Sequence, residues 1–163
     1  TKVAVFLFVF RLRRRIAWPS LNMVQGPFTM MGDAMTRGLD EAFEDVKAFQ
    51  RAFGGSVASR PRILEQYEKE RRIAWMREEI GELAAAGTVE EQADAIIDLV
   101  YFAMGYLVEM GVPPSGVWDC VHKANMAKLW SDGVHTDSTG KVVKPPCWKG
   151  PDEGIREYIS TLS

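Results

Sequence analysis

The stretch EEIGELAAAGTVEEQADAIID, residues 78–98, decides the fold. It opens with Glu78, Glu79 and Glu82 inside about one helical turn and closes with Glu91, Asp94 and Asp98 at three- and four-residue steps. Side chains so spaced share one face of an α-helix. Between the two groups lie Gly87, suited to end a helix, and Thr88-Val-Glu-Glu91, a capping box that opens the next. The spacing therefore predicts two helices joined by a short turn. If they pack antiparallel, their carboxylates converge. Converging carboxylates repel one another and resist desolvation, and a hard divalent cation such as Mg²⁺ resolves both problems. The bland readings are definite too. The Glu78–Glu82 group alone reads as a solvated face. Glu91 alone reads as the N3 residue of the cap, and its oxygens do not easily serve a cap and a cation together. Asp94 and Asp98 resist that reading, because Ala93, Ala95, Ile96, Ile97 and Leu99 surround them.

Helical periodicity extends outward from this stretch. Phe43, Val46, Phe49 and Phe53 recur at three- and four-residue steps, predicting a helix from about Leu39 to Phe53 that Gly54-Gly55 stops. Pro61 suits a first helical turn. From there a second helix runs to about Ala86, with Ile63 or Leu64, Tyr67, Ile73, Met76, Ile80 and Leu83 as its apolar positions. Trp75 and Met76 read as core. Arg71 and Arg72 read as solvated, or as partners of Glu68 or Glu79. The third helix runs from the Thr88 cap to Met110, with Gly111 as its stop. After Asp98 it is apolar nearly all round (Ile97, Val100, Tyr101, Met104, Leu107, Val108), which predicts burial in a bundle or oligomer. Ser115 caps a fourth helix reaching about Trp130. A Gly- and Pro-rich loop follows, with a short hairpin around Ser138–Gly140, and a last helix covers Glu153–Thr161. No long alternating strand pattern appears. The expected class is all-α, a bundle of four to five helices.

Composition sets the outer limits. The chain has 163 residues, 47% hydrophobic and 26% charged, which is ordinary for one globular domain. A net charge of −2 gives no electrostatic case for nucleic acid. Cys120 and Cys147 lack CxxC spacing, and His122 and His135 lack zinc-ligand spacing, so a reduced, cytoplasmic protein is expected. Val3–Phe10 is an unbroken apolar run followed by basic Arg11–Arg15. It is too short to span a bilayer, and its order is the reverse of a secretory signal. Residues 1–28 read as an accessory segment or leader, and residues 29–163 as the domain proper.

EEIGE at 78–82 and EQAD at 91–94 are similar to the EExxE and ExxD motifs of the all-α nucleoside triphosphate pyrophosphohydrolases. This group takes in MazG-like proteins, dimeric dUTPases and phosphoribosyl-ATP pyrophosphohydrolase. The flanking text resembles the MazG-like branch: DVKAFQRAFG at 45–54, ADAIIDLVYFAMGYLVEMG at 93–111, NMAKLW at 125–130 and GKVVKPPCWKGPD at 140–152. The resemblance covers about Leu39 to Asp152. Gln50 is a departure, since related sequences often carry histidine there.

The resemblance implies Mg²⁺-dependent hydrolysis of an NTP or dNTP between its α and β phosphates, with Mn²⁺ able to stand in, in a house-cleaning role. It implies metal ligands at Glu79, Glu82, Glu91 and Asp94, with Asp98 serving a second metal or a sugar hydroxyl. Glu78 is then the group that orients or deprotonates water, with Glu79 beside it. Asn125 is expected to meet sugar or base, Lys128, Lys141 and Lys144 the phosphates, and Trp148 and Phe49 the base. The bland alternatives are helix surface for Asn125 and Lys128, and a structural or solvated role for Lys141, Lys144 and Trp148. A homodimer or homotetramer is expected, with the site completed by a neighbouring subunit. Two rivals stand beside this reading. One is phosphoribosyl-ATP hydrolysis, against which the extended tail and the NMAK segment speak. The other is a non-enzymatic helical interaction protein whose acidic clusters are solvated faces.

Overall fold

The computed structural model describes residues 38–162; the expectation for residues 1–28 lies outside them. Five helices follow in order: α1 Leu39–Ala52, α2 Gln66–Ala85, α3 Val89–Met110, α4 Pro114–Met126 and α5 Asp152–Ser160. Among the described residues the only extended pairings are two isolated bridges, Trp130 with Gly133 and Thr136 with Val142. The all-α expectation holds.

Residues 86–88 alone join α2 to α3, so the pair forms an antiparallel hairpin. Thr88 Oγ1 accepts from Glu91 N at 3.2 Å, and Glu91 Oε2 accepts from Gly87 N at 2.8 Å. These bonds satisfy donors that a helix start otherwise leaves without partners. Gly111 ends α3 at φ +70°, and a Cβ there would stand 2.5 Å from the Arg60 carbonyl oxygen. Both the backbone angle and the close approach require glycine.

Two boundaries differ from expectation. The second helix begins at Gln66, not near Pro61. Residues 61–64 instead run beside the end of α3, with Arg62 N bonded to Met110 O at 2.9 Å and Leu64 buried. Glu68 Oε2 then accepts from Glu65 N at 2.8 Å and fixes the helix start. The fourth helix begins at Pro114 and stops at Met126, short of Trp130. Ser115 does not cap it; its N–H donates to Asp40 Oδ1 at 3.2 Å, tying α4 to α1.

Phe43 and Val46 of α1 and Met104 and Val108 of α3 form the apolar core, flanked by Leu39, Val57, Tyr101 and Leu107. α2 packs on α3, α1 on α3 and α4, and α5 on α4. The inward stripe of α2 is mostly charged. Glu68, Arg72, Trp75 and Glu79 are buried, while Tyr67, Ile73 and Ile80 of the expected apolar face are exposed. Ile97 and Val100 of α3 are exposed as well. No single described helix is long and apolar enough to cross a membrane.

Candidate active site

The antiparallel hairpin brings the second half of α2 against the first half of α3. Glu79 is the buried member of the acidic group, 6% exposed. Burial first, then the charges of Asp98, Glu82, Glu78 and Asp94, push its carboxyl from 4.5 up to about 7. Five carboxylates from two helices therefore act on one another, as their spacing anticipates. Glu78, Glu82 and Asp98 are half-buried and Asp94 is exposed, so the cluster opens to solvent on one side.

Glu91 stands apart. Its carboxylate is turned onto Gly87 N in the cap, and it is not among the four charges acting most on Glu79. Cap and cation compete for these oxygens, and in this arrangement the cap holds one of them.

The donor set fits a hard divalent cation. It consists of oxygens only, and its central carboxyl resists ionisation because like charges crowd it in a desolvated place. Among the described residues, no three His, Cys, Asp or Glu side chains are drawn together closely enough to enclose an ion. The cluster is a set of convergent donors rather than a finished cage.

Two aromatic residues border it. Phe49 lies edge-on to Tyr101, with ring centres 5.6 Å apart. Burial, then the charges of Asp45 and Asp98, push the Tyr101 hydroxyl above its ordinary range. Tyr101 thus stands beside the carboxylates with a hydrogen-bonding group. The helical pattern reads it only as an apolar position. Its place three residues after Asp98 is the signal that marks it, since that spacing shares a face.

A second cluster forms at the end of α4. Lys128 Nζ donates to Asn125 Oδ1 at 2.7 Å. Lys144 Nζ lies 4.0 Å from the centre of the Trp148 ring, and Lys128 Nζ lies 5.7 Å from it. The Trp148 indole donates to the Ala124 carbonyl at 2.6 Å and so pins the 140–150 segment to α4. Four expected substrate contacts therefore meet in one place. Trp148 already has ammonium groups on its ring, which suits it to anchoring cations more than to stacking on a base. Lys141 sits apart, in a turn where Asp137 Oδ1 accepts from the N–H groups of Thr139 and Lys141. Asn125 is on α4, which packs chiefly on α1 and α5, whereas the acidic cluster lies between α2 and α3.

The arginines resolve differently from expectation. Arg71 and Arg72 both pair with Glu109, at 2.9 and 2.8 Å, rather than with Glu79, and Glu68 pairs with Arg62 at 2.6 Å. Arg72 Nη2 also donates to Gln50 Oε1 at 2.7 Å, and Gln50 Nε2 donates to the Gly105 carbonyl at 3.3 Å. Gln50 is thus a buried link between α1, α2 and α3.

Residues 46–125 match the model of the phosphoribosyl-ATP pyrophosphohydrolase family. No curated protein matches the chain. The matched segment spans the second half of α1 through α4, including both acidic motifs, and ends at Asn125. Proteins of this kind are pyrophosphohydrolases and generally depend on a divalent metal. Residues 46–125 thus carry the match to a domain of the MazG-like, all-α NTP pyrophosphohydrolase superfamily.

Proposed function

We propose that the protein hydrolyses a nucleoside or deoxynucleoside triphosphate to the monophosphate and pyrophosphate, with Mg²⁺ or Mn²⁺ held by the hairpin. The observation that carries this reading is Glu79: a buried carboxyl, raised to about 7 by burial and four neighbouring acids. Such a site gains most from a cation. When bound, divalent ions offset the phosphate charge and make water a better nucleophile.

Glu79, Glu82, Asp94 and Asp98 would hold the metal. Glu91 would join them only by releasing the Gly87 N–H, so it is the weakest member of the set. Glu78, half-buried at the edge of the cluster, orients the attacking water and takes its proton. The water oxygen bonds to the α-phosphorus. The bond from that phosphorus to the α,β-bridging oxygen breaks, and pyrophosphate leaves with the electron pair. Tyr101 stands beside the acidic cluster with Phe49 against its ring, the Phe49 ring for the base and the Tyr101 hydroxyl for a sugar. Lys128 and Lys144 supply the charge that meets the phosphates, with Asn125 beside them for sugar or base and Lys141 as a further phosphate contact.

Because the acids lie on α2 and α3 and the cationic cluster gathers at the end of α4, the reading takes a homodimer or homotetramer in which a neighbouring copy completes the site. The exposed Ile73, Ile80, Ile97 and Val100 on the hairpin support such a contact. Residues 29–163 form the catalytic domain in this reading, in the cytoplasm, where nucleotides are available.

The test is a panel of NTPs and dNTPs with Mg²⁺, scored for pyrophosphate against orthophosphate. Pyrophosphate release from at least one nucleotide supports the reading. No turnover together with no metal-dependent thermal shift overturns it in favour of the interaction protein. Phosphoribosyl-ATP belongs in the same panel, because the family model that matches residues 46–125 carries that name.

A further inference from the structure

Asp45 of α1 stands at the edge of the acidic site. It lies four residues before Phe49, so the two share one face of α1. Phe49 sets its ring edge-on to Tyr101 of α3, with ring centres 5.6 Å apart. Asp98 and Tyr101 are three apart on α3 and share a face of that helix. Where α1 packs on α3, the pair Asp45 and Phe49 therefore meets the stripe of Asp94, Asp98 and Tyr101. The raised Tyr101 hydroxyl agrees with this placement: after burial, the charge of Asp45 raises it more than that of Asp98. Asp45 is exposed, and Phe49, Tyr101 and Asp98 are half-buried, so a solute can reach all four.

The hydrogen-bonding chemistry here is selective. A carboxylate only accepts hydrogen bonds, and a protonated tyrosine hydroxyl donates one. An acceptor beside a donor matches an alcohol, which both donates and accepts. It does not match a phosphate, which brings acceptors and more negative charge against Asp45. Asp45 also stands outside the metal set, since the acids that act most on Glu79 are Asp98, Glu82, Glu78 and Asp94.

The groups follow one order across the site. Asp94 and Asp98 lie at the cation, where the phosphates are held. Tyr101 comes next along α3, and Phe49 offers an aromatic ring beyond it. In a nucleotide, the part between phosphate and base is the sugar.

We propose that Asp45 is a specificity-determining residue, its carboxylate accepting a hydrogen bond from a sugar hydroxyl of the nucleotide while the Tyr101 hydroxyl donates to the same sugar. The inference rests on the nucleotide reading above and deepens it. It brings α1 into the site through a charged group as well as a ring, and it makes the sugar hydroxyl a feature by which substrates are sorted.

The test is steady-state kinetics of the full chain with Mg²⁺ on the ribo, 2′-deoxy and 2′,3′-dideoxy forms of the best nucleotide of the panel. The parent should lose about 10- to 100-fold in kcat/KM on removal of the recognised hydroxyl, mainly through KM, as expected for one hydrogen bond to a charged group. In Asp45→Ala the forms should converge to within about threefold, at the level of the poorest parent substrate. Asp45→Asn keeps one acceptor oxygen and should retain part of the preference. Tyr101→Phe should weaken the same preference, which gives a second reading from the other side of the sugar. A parent indifferent to the sugar, a preference unchanged in Asp45→Ala, or a loss in that variant that falls on kcat equally for every form overturns the proposal and leaves the pyrophosphohydrolase reading standing. A parent that hydrolyses no nucleotide overturns both.

Discussion

Replacing Glu109 by alanine removes the anion that buried Arg72 and half-buried Arg71 share. Its side chain and that of Arg72 are each 3% exposed, and Arg71, at 25%, is the more accessible partner. The variant leaves Arg72 charged in the core, held only by Gln50 Oε1 and the Trp75 ring. Breaking a buried pair by deleting one partner costs about 3–5 kcal/mol. For a domain of this size that lowers Tm by roughly 10–20 °C. Equilibrium urea unfolding followed by circular dichroism measures the loss, provided the slope with denaturant is unchanged. The mechanism also predicts coupling. Once Glu109 is gone, Arg72→Met should recover about 1 kcal/mol or more, because it removes the stranded charge, whereas in the parent it should destabilise. A Glu109→Ala cost below about 1 kcal/mol, or strictly additive effects in the double variant, would refute the argument that this network holds α2 to α3.

Three more outcomes follow from the same geometry. Glu79 has a folded pKa above its ordinary value, so its contribution to stability is complete below pH 4.5 and is lost as pH rises through about 7. Metal-free protein should therefore lose up to about 3 kcal/mol across that window; Glu79→Gln should flatten the profile, and a slope unchanged in that variant would contradict the assignment. Glu82→Gln and Asp94→Asn should each lower nucleotide turnover about 100-fold or more with helix content intact, and near-full activity in either would show that residue not to be a ligand. Gly105→Ala forces a methyl group to within 2.5 Å of Arg72 Nη1, costing about 1–3 kcal/mol by overpacking, which calorimetry would register as a lower Tm.

The helices were legible because their ends are written locally. Gly54, Thr88, Glu91 and Gly111 stop and start elements through bonds that reach at most a few residues, so the spacing of a cap is enough to read them. The acidic cluster was legible for a related reason: a short turn forces α2 and α3 antiparallel, and residues placed symmetrically about it must meet. What stayed hidden depends on partners far along the chain. Pro61 suits a helix start, yet residues 61–64 are drawn along α3 by the bond from Arg62 N to Met110 O, and tertiary pairing outweighs local preference. Arg71 and Arg72 find Glu109, 38 and 37 residues away, while the nearer Glu68 is claimed by Arg62. The inward face of α2 was misread for the same reason. A search for an apolar stripe selects Tyr67, Ile73 and Ile80, but the buried stripe is Glu68, Arg72, Trp75 and Glu79.

That inversion bears on how the hairpin is held together. The seam between α2 and α3 sets Trp75 against Phe102, ring centres 5.6 Å apart, between the arginine pairs with Glu109 at one end and five carboxylates at the Glu79 end. Its ion pairs add little net stability, because their attraction mostly repays desolvation. Within one chain apolar burial comes from Trp75 and Phe102 in the seam and from the contacts of α1 with α3. The isoleucines and valine that would ordinarily fill a helix–helix seam face outward instead: Ile80 is 53% exposed, Ile97 62% and Val100 46%. Burying each such side chain fully is worth about 1.5–3 kcal/mol. Under the proposed oligomeric reading, the partner adds to the hairpin's apolar contact, while the carboxylate end of the seam is left for the cation. Polar chemistry inside the hairpin and apolar contact outside it are then two results of one choice of helix face.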